Sequence, residues 1–153
     1  MQILNIIDEP EHIPTLAEWH HKEWSYLNPE GSIQKRIEKM QSYLADGLIP
    51  STFIAKATVL LGSAAIVELD MDTRPELTPW LASVFVAPKH RNNGVGSQLV
   101  KNVMQQAKEA GINELYLFTP DRETFYQKLG WSVLAKEDYR GHAVTVMSVK
   151  LSD

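Results

Sequence analysis

The chain contains no cysteine. That excludes disulfide bridges, a thiolate nucleophile and zinc or iron–sulfur centres held by thiolates. Positive charge is also in short supply: 15 Lys and Arg stand against 19 Asp and Glu, a net charge of −4. An acidic balance argues against a protein whose main task is gripping nucleic acid, because that affinity comes largely from cations on phosphates. No apolar run approaches the ~20 residues needed to cross a bilayer. The N-terminus, Met1 to Pro10, lacks the basic and then apolar order of a signal peptide. Repeats, low-complexity tracts and Gly-, Ser- or Pro-rich linkers are missing as well. Together these absences lead us to expect a cytoplasmic protein that binds neither membrane nor nucleic acid. What is present is 153 residues of globular composition, 44% hydrophobic and 22% charged. They read as a single domain, 1–153, long enough to bury a core without staples.

The hydrophobic pattern alternates between strand and helix signals. Ile3–Ile7 is a short apolar run stopped by Asp8-Glu9-Pro10. From Ile13 to Leu27 the period is helical, with Ile13, Leu16, Ala17, His20, Trp24 and Leu27 near one face. A second helix is expected from Ser32, a plausible N-cap, to Asp46, with Ile33, Ile37, Met40 and Leu44 as its buried stripe and Gly47 as its C-terminal cap. Thr52–Ala57 and Val59–Glu68 read as strands, and 70–76 as a polar loop. Trp80–Val86 is almost continuously apolar, as in a central strand covered on both faces. Gly94–Ala110 is helical again, with the stripe Val95, Leu99, Val100, Val103, Met104 and Ala107. Glu114–Phe118 reads as a strand. Glu123–Leu129 reads as a short helix with Pro120 at its first position and Gly130 closing it. Trp131–Ala135 and Ala143–Val149 form a final pair of strands. The order β-α-α-β-β-β-α-β-α-β-β predicts an α/β (α+β) fold, a mixed central β-sheet flanked by helices.

The most informative segment joins the apolar strand ending Val84-Phe85-Val86 to the long helix through Arg91-Asn92-Asn93-Gly94-Val95-Gly96-Ser97. First-turn amides of a helix lack internal partners, and the helix dipole adds partial positive charge, so such an end suits a phosphate. Gly94 and Gly96 remove Cβ atoms, and Arg91 adds a fixed charge. Asn92 and Asn93 tolerate left-handed geometry. Two other phosphate loops fail on their residues. A Walker A loop needs Gly-Lys-Ser/Thr, but Ser97-Gln98 follows Gly96. A dinucleotide fingerprint needs Gly or Ala where Leu99 stands.

What remains, Arg-x-x-Gly-x-Gly after an apolar strand, resembles the pyrophosphate loop of the GNAT superfamily of acetyl-CoA-dependent N-acyltransferases. Downstream, Phe125-Tyr126-Gln127-Lys128-Leu129-Gly130-Trp131 resembles that family's aromatic-Tyr-x-x-x-Gly-aromatic segment. Motif order, spacing and the β/α string agree with the family along the chain. Two positions differ. Asn92 stands where many members have Gly, and Thr119 where many have an Asn that contacts the cofactor.

The resemblance implies transfer of an acetyl group from acetyl-CoA, as co-substrate, to a primary amine of a small molecule or peptide, by direct attack in a ternary complex. It places the pyrophosphate on the amides around Asn92–Ser97 and the pantetheine arm along Val84, Phe85 and Val86. A β-strand amide there would polarise the thioester carbonyl. The leaving thiolate needs a proton or a hydrogen bond. A tyrosine, with a reference pKa of ~10 against ~8.5 for a thiol, can supply one, and Tyr126 is the candidate. Its alternative role is packing of the short helix.

An alkyl ammonium with a pKa of ~10.4 must lose a proton before it attacks. Glu68, with Asp70 near it, is the candidate base at the end of the third strand; a solvated strand end is the bland alternative. The acidic stretch Glu68, Asp70, Asp72 and Glu76 either draws a cationic amine or is simply solvated. Trp19, Trp24 and Trp80 are candidates for the acceptor pocket or the core. His20 is expected to be buried and hydrogen-bonded, with His21 and His90 exposed. No His pair has metal-ligand spacing with a carboxylate, so no metal is expected. A monomer or homodimer is expected. The rival reading is a non-catalytic acyl-CoA-binding sensor that keeps the loop and needs neither acid nor base.

Overall fold

The structure, a computed structural model, describes residues 1–152. The elements follow the expected order: β1 (Gln2–Asn5), α1 (Ile13–Trp24), α2 (Ile33–Ser42), β2 (Ser51–Lys56), β3 (Leu60–Val67), β4 (Trp80–Val86), α3 (Val95–Glu109), β5 (Glu114–Thr119), α4 (Glu123–Gln127), β6 (Ser132–Tyr139) and β7 (His142–Lys150). They build one seven-stranded sheet in the order β1-β2-β3-β4-β5-β7-β6. Neighbours pair antiparallel except β4 with β5, which is parallel.

Helices cover both faces of the sheet, which explains the unbroken apolar run of β4. On one face Val95, Leu99, Val100, Val103 and Ala107 of α3 are buried against Phe53, Ile66, Leu81, Leu115 and Leu117. Burying each such side chain contributes roughly 1.5–3 kcal/mol relative to leaving it in water. On the other face Ile13, Leu16 and Ala17 of α1 and Met40 of α2 pack with Ile6 and Ile54.

Several boundaries differ from expectation: α1 ends at Trp24 rather than Leu27, β6 runs on to Tyr139 rather than Ala135, and two others shift for local reasons. Ser32 does cap α2, its Oγ accepting from Lys35 N at 3.0 Å. The helix then stops at Ser42 rather than Asp46, because Tyr43 leaves it to pack on the cluster around Met71 and Trp80. Gly47 is therefore not its cap, and Ile33 is exposed rather than part of a buried stripe. Pro120 lies outside α4. The turn after β5 is instead held by Thr119 Oγ1, which accepts from Arg122 N at 2.9 Å.

β4 carries a bulge. Ser63 faces Phe85 and Ala65 faces Ala82, so Ala64 opposes both Ser83 and Val84. Ser83 takes a left-handed φ of 53°. A buried chain of hydrogen bonds pins it: Ser63 Oγ donates to Ser83 O at 3.0 Å, and His20 Nε2 lies 2.8 Å from Ser63 Oγ. With the Ser63 proton committed to Ser83 O, His20 is the donor and carries its proton on Nε2. Burial, with help from Arg36, pushes His20 down to about 3, so the ring is neutral at ordinary pH. Next to the bulge, a side chain at Gly62 would collide with the carbonyl oxygen of Phe85. Glycine is required there for β3 to approach β4 so closely.

Candidate active site

β4 and β5 meet through one residue pair, Trp80 with Tyr116, reinforced by Tyr116 N donating to Pro79 O at 3.1 Å. Beyond this point the strands part. A cavity of about 970 Å³ fills the fork. Ser83–Val86 line one wall and Leu117–Thr119 the other, with the start of α3 and α4 at one end and α2 at the opposite end.

The turn into α3 leaves room for close approach to its backbone. Asn92 (φ 67°) and Gly94 (φ 81°) both take left-handed backbone conformations, so Asn at position 92 meets the need that glycine would otherwise fill. Gly94 faces open space, and a Cβ at Gly96 would lie in ordinary contact with Phe125 and Val86 at 3.4 and 3.5 Å. The first i→i−4 bond of α3 runs from Gln98 N to Gly94 O at 3.1 Å. The amides of Val95, Gly96 and Ser97 precede it and have no such partner. Arg91, Asn92, Gly94, Val95, Gly96 and Ser97 line the cavity together with Val84, Phe85, Val86 and Thr119; Asn93 does not. Arg91 is folded back as a staple. Its Nε donates to Val86 O at 2.8 Å, its Nη2 lies 3.8 Å from Glu23 of α1, and its guanidinium covers the Phe85 ring. Thr119 lines the wall, but its hydroxyl oxygen is occupied by the turn amides.

Tyr126 lines the same cavity and is otherwise buried, packed edge-on against Phe125 and Trp131. Burial pushes its hydroxyl well above the usual tyrosine range, so it stays protonated. Of the two candidate bases, Glu68 is exposed and does not line the cavity, while Asp70 is half-buried and does. Burial pushes the Asp70 carboxyl up to about 6, against the opposing pull of Lys39 and Arg140. The other acids of that loop are matched by cations: Asp72 pairs with Arg140 at 3.2 Å and Glu76 with Arg74 at 3.0 Å. Among the candidate tryptophans, Trp24 lines the cavity, Trp80 is core and Trp19 packs on Phe85. Sequence reasoning missed Arg36, Lys39, Tyr139 and Arg140, which also line it. The polar face of α2 and a hairpin turn give no signal that they converge on a site. Glu9, Glu11 and His12 bring possible metal-ligand atoms together away from this cavity, but Glu9 is already paired with Lys56 at 2.7 Å.

The acetyltransferase (GNAT) family model matches residues 13–131, a span that holds both sequence motifs and most of the cavity wall. This chain belongs to the GNAT acetyltransferase family. An amino-acid acetyltransferase of Aeromonas salmonicida (strain A449) is 30% identical over 87 residues, which is 57% of this GNAT chain. The chain spans about a fifth of that relative, as the match covers 19% of its length. Among solved GNAT-like structures, aminoglycoside 6'-acetyltransferase type Ii superposes with a TM-score of 0.77 at 18% identity, covering 100% of this chain and 99% of that one. The ribosomal-protein-alanine N-acetyltransferase of Brucella melitensis gives 0.77 at 14%, covering 98% and 99%. An acetyltransferase of Salmonella typhimurium with its cofactor acetyl-CoA gives 0.72 at 16%, covering 100% and 95%. At such identities these structures establish the GNAT fold.

Asp70 and His20 have opposite effects on how this GNAT domain responds to acid. His20 has a folded pKa below its unfolded ~6.5, so the unfolded chain binds the extra proton and stability falls as pH drops below 6.5. Asp70 has a folded pKa above its unfolded value, so stability rises as pH drops through 6 toward 4. The two oppose each other between pH 6 and 4. Asp70→Asn is therefore expected to expose the His20 slope, a loss of roughly 1 kcal/mol per pH unit in that window. Urea midpoints at pH 6, 5 and 4 for both proteins check this. Parallel curves for the two proteins would rule it out.

Proposed function

We propose that this domain transfers the acetyl group of acetyl-CoA to a primary amine, by direct attack of the amine on the thioester. The observation that carries this reading is the fork itself: free first-turn amides at one end, exposed strand backbone along one wall, and a half-buried carboxylate toward the other end. The cradle fits the coenzyme. Asn92 and Gly94 turn the chain, Gly94 leaves the approach open, and the amides of Val95, Gly96 and Ser97 stand ready for a diphosphate. The Val84–Val86 backbone would hold the pantetheine arm as an added strand. When bound, the coenzyme supplies an activated acyl group.

This chain's residues do the rest. A β4 amide polarises the thioester carbonyl. Asp70, directly or through a water, takes the proton of the acceptor ammonium, a role for which a carboxyl near 6 is better matched than an exposed Glu68. The amine nitrogen would then bond to the carbonyl carbon as the carbon–sulfur bond breaks, its remaining extra proton passing to the departing thiolate directly or through water, while Tyr126 donates a hydrogen bond to that sulfur. The relatives named above act on amino acids, aminoglycosides and a ribosomal-protein alanine, which supports an amine acceptor in general.

Thermal unfolding with acetyl-CoA, CoA, ATP and NAD, followed by thiol release against an amine panel, tests the proposal. Acetyl-CoA and CoA should raise the transition; at ~100 times Kd a ligand adds roughly 2.7 kcal/mol. ATP and NAD should not, and at least one amine should release free thiol. Absence of a coenzyme shift would end the reading. A shift without thiol release from any amine would leave the non-catalytic sensor.

A further inference from the structure

His20 of α1 and Ser63 of β3 are 3% and 0% exposed, and neither lines the cavity. A polar pair set in the core is costly unless its groups are bonded. The bonds run one way: His20 Nε2 donates to Ser63 Oγ at 2.8 Å, and Ser63 Oγ donates to Ser83 O at 3.0 Å. This run of donors ends on the backbone of the bulge, where β4 breaks its register with β3 and Ser83 takes a φ of 53°. A serine in that conformation is strained, and such backbone persists only where its surroundings over-determine it. His20 also packs on Trp24 and Phe85, with ring centroids 5.3 and 6.0 Å away, and both of those residues line the cavity.

Ser83 O belongs to the peptide that joins Ser83 to Val84. A trans peptide is planar, with its C=O and N–H pointing in opposite directions. A hydroxyl that fixes Ser83 O therefore also fixes Val84 N–H, which points away from Ser63. Ser83 and Val84 are half-buried and line the cavity, whereas Ser63 is sealed in the core. We propose that His20 and Ser63 are positioning residues for acetyl transfer, holding the Ser83–Val84 peptide so that Val84 N–H meets the thioester carbonyl. Neither side chain touches the coenzyme or the amine; both act through the backbone of β4. This inference rests on the acetyltransferase reading and names the residues that aim its carbonyl-polarising amide.

The test joins thiol-release kinetics to the infrared carbonyl stretch of bound acetyl-CoA, isotope-labelled at its carbonyl carbon, for the wild type, Ser63→Ala, His20→Gln and His20→Leu. In the wild type the stretch should lie below that of free acetyl-CoA, the mark of a donated hydrogen bond. Ser63→Ala should move it back toward the free value and lower kcat about 10–100-fold, with the KM for acetyl-CoA near its wild-type value. His20→Gln still offers Ser63 an N–H and should stay close to the wild type. His20→Leu offers none and should follow Ser63→Ala. A wild-type stretch at the free value, a folded Ser63→Ala that matches the wild type, or a kcat loss with the stretch unmoved overturns the proposal. A coenzyme-induced thermal shift shows which variants are folded; where Ser63→Ala is not, equal stretches in His20→Gln and His20→Leu overturn it. No coenzyme shift, or no turnover of any amine, in the wild type overturns the acetyltransferase reading and this inference with it, whereas the outcomes above leave that reading standing.

Discussion

Asp70→Asn is expected to lower kcat/KM for the amine by about 10²–10³-fold, the usual contribution of a positioned general base. The physical reason is the environment of the carboxyl. Burial raises it to about 6, close enough to neutrality to accept a proton and yet ionised at pH 7 to 8. The sign of the pH effect follows. The base works only when ionised, so wild-type kcat/KM should fall as pH drops below about 6 and lose its dependence on this group above it. The variant should lack that limb. Glu68→Gln is the internal control: Glu68 is exposed and away from the cavity, and its carbonyl rather than its carboxylate is what Thr78 binds, at 2.6 Å. Steady-state kinetics from pH 5 to 8 on the three proteins decide the matter. A Glu68 variant impaired as deeply as the Asp70 variant would return the role to Glu68.

Tyr126→Phe is expected to lower kcat about 10²-fold and to leave the KM for acetyl-CoA near its wild-type value. The variant keeps the ring that packs on Phe125 and Trp131 and removes only the hydroxyl. The raised pKa refines what that hydroxyl does. Full proton transfer from such a group to a thiolate of pKa ~8.5 is uphill, so in the proposed reaction Tyr126 would act chiefly as a fixed hydrogen-bond donor to charge that develops on sulfur. The defect should therefore lie in the chemical step, be insensitive to pH between 6 and 9, and shrink with acyl donors whose thiols leave more readily. Unchanged single-turnover rates in the Phe variant would reduce Tyr126 to a packing residue.

The turn from β4 into α3 was legible because it is local in sequence. A strand, a turn with two left-handed positions and a helix start occupy fourteen consecutive residues, Val84–Ser97, and backbone chemistry dictates their types. The element order was legible for the same reason: each helix stripe and each apolar strand carries its own period. The rest of the cavity lining was not. Arg36, Asp70 and the adjacent pair Tyr139-Arg140 come from three separate segments, and apart from Asp70, already a candidate beside Glu68, each reads by itself as an ordinary polar or aromatic surface residue. Asp70 differs from Glu68 by only two positions, and beyond the end of β3 no periodicity says which of them turns inward. The end of α2 was misjudged because Tyr43 is recruited by a distant cluster, and the bulge in β4 was invisible because Ser83 is no more suggestive of left-handed backbone than its neighbours.

The short backbone seam between β4 and β5, a single register pair, has a mechanical consequence. Strands β1 to β4 form one slab and β5 to β7 another, and between them the sheet offers a single rung where its other seams have ladders. Prying the slabs apart sacrifices little backbone bonding and is resisted by side-chain packing across the seam, such as Trp80 against Tyr116 and Phe118. A guest lying in the slit would replace the missing rungs along one lip, so occupancy would act as glue. The ligand would then stiffen the whole molecule, not the slit alone, and slow amide exchange should spread from β4 and β5 into strands the guest never touches.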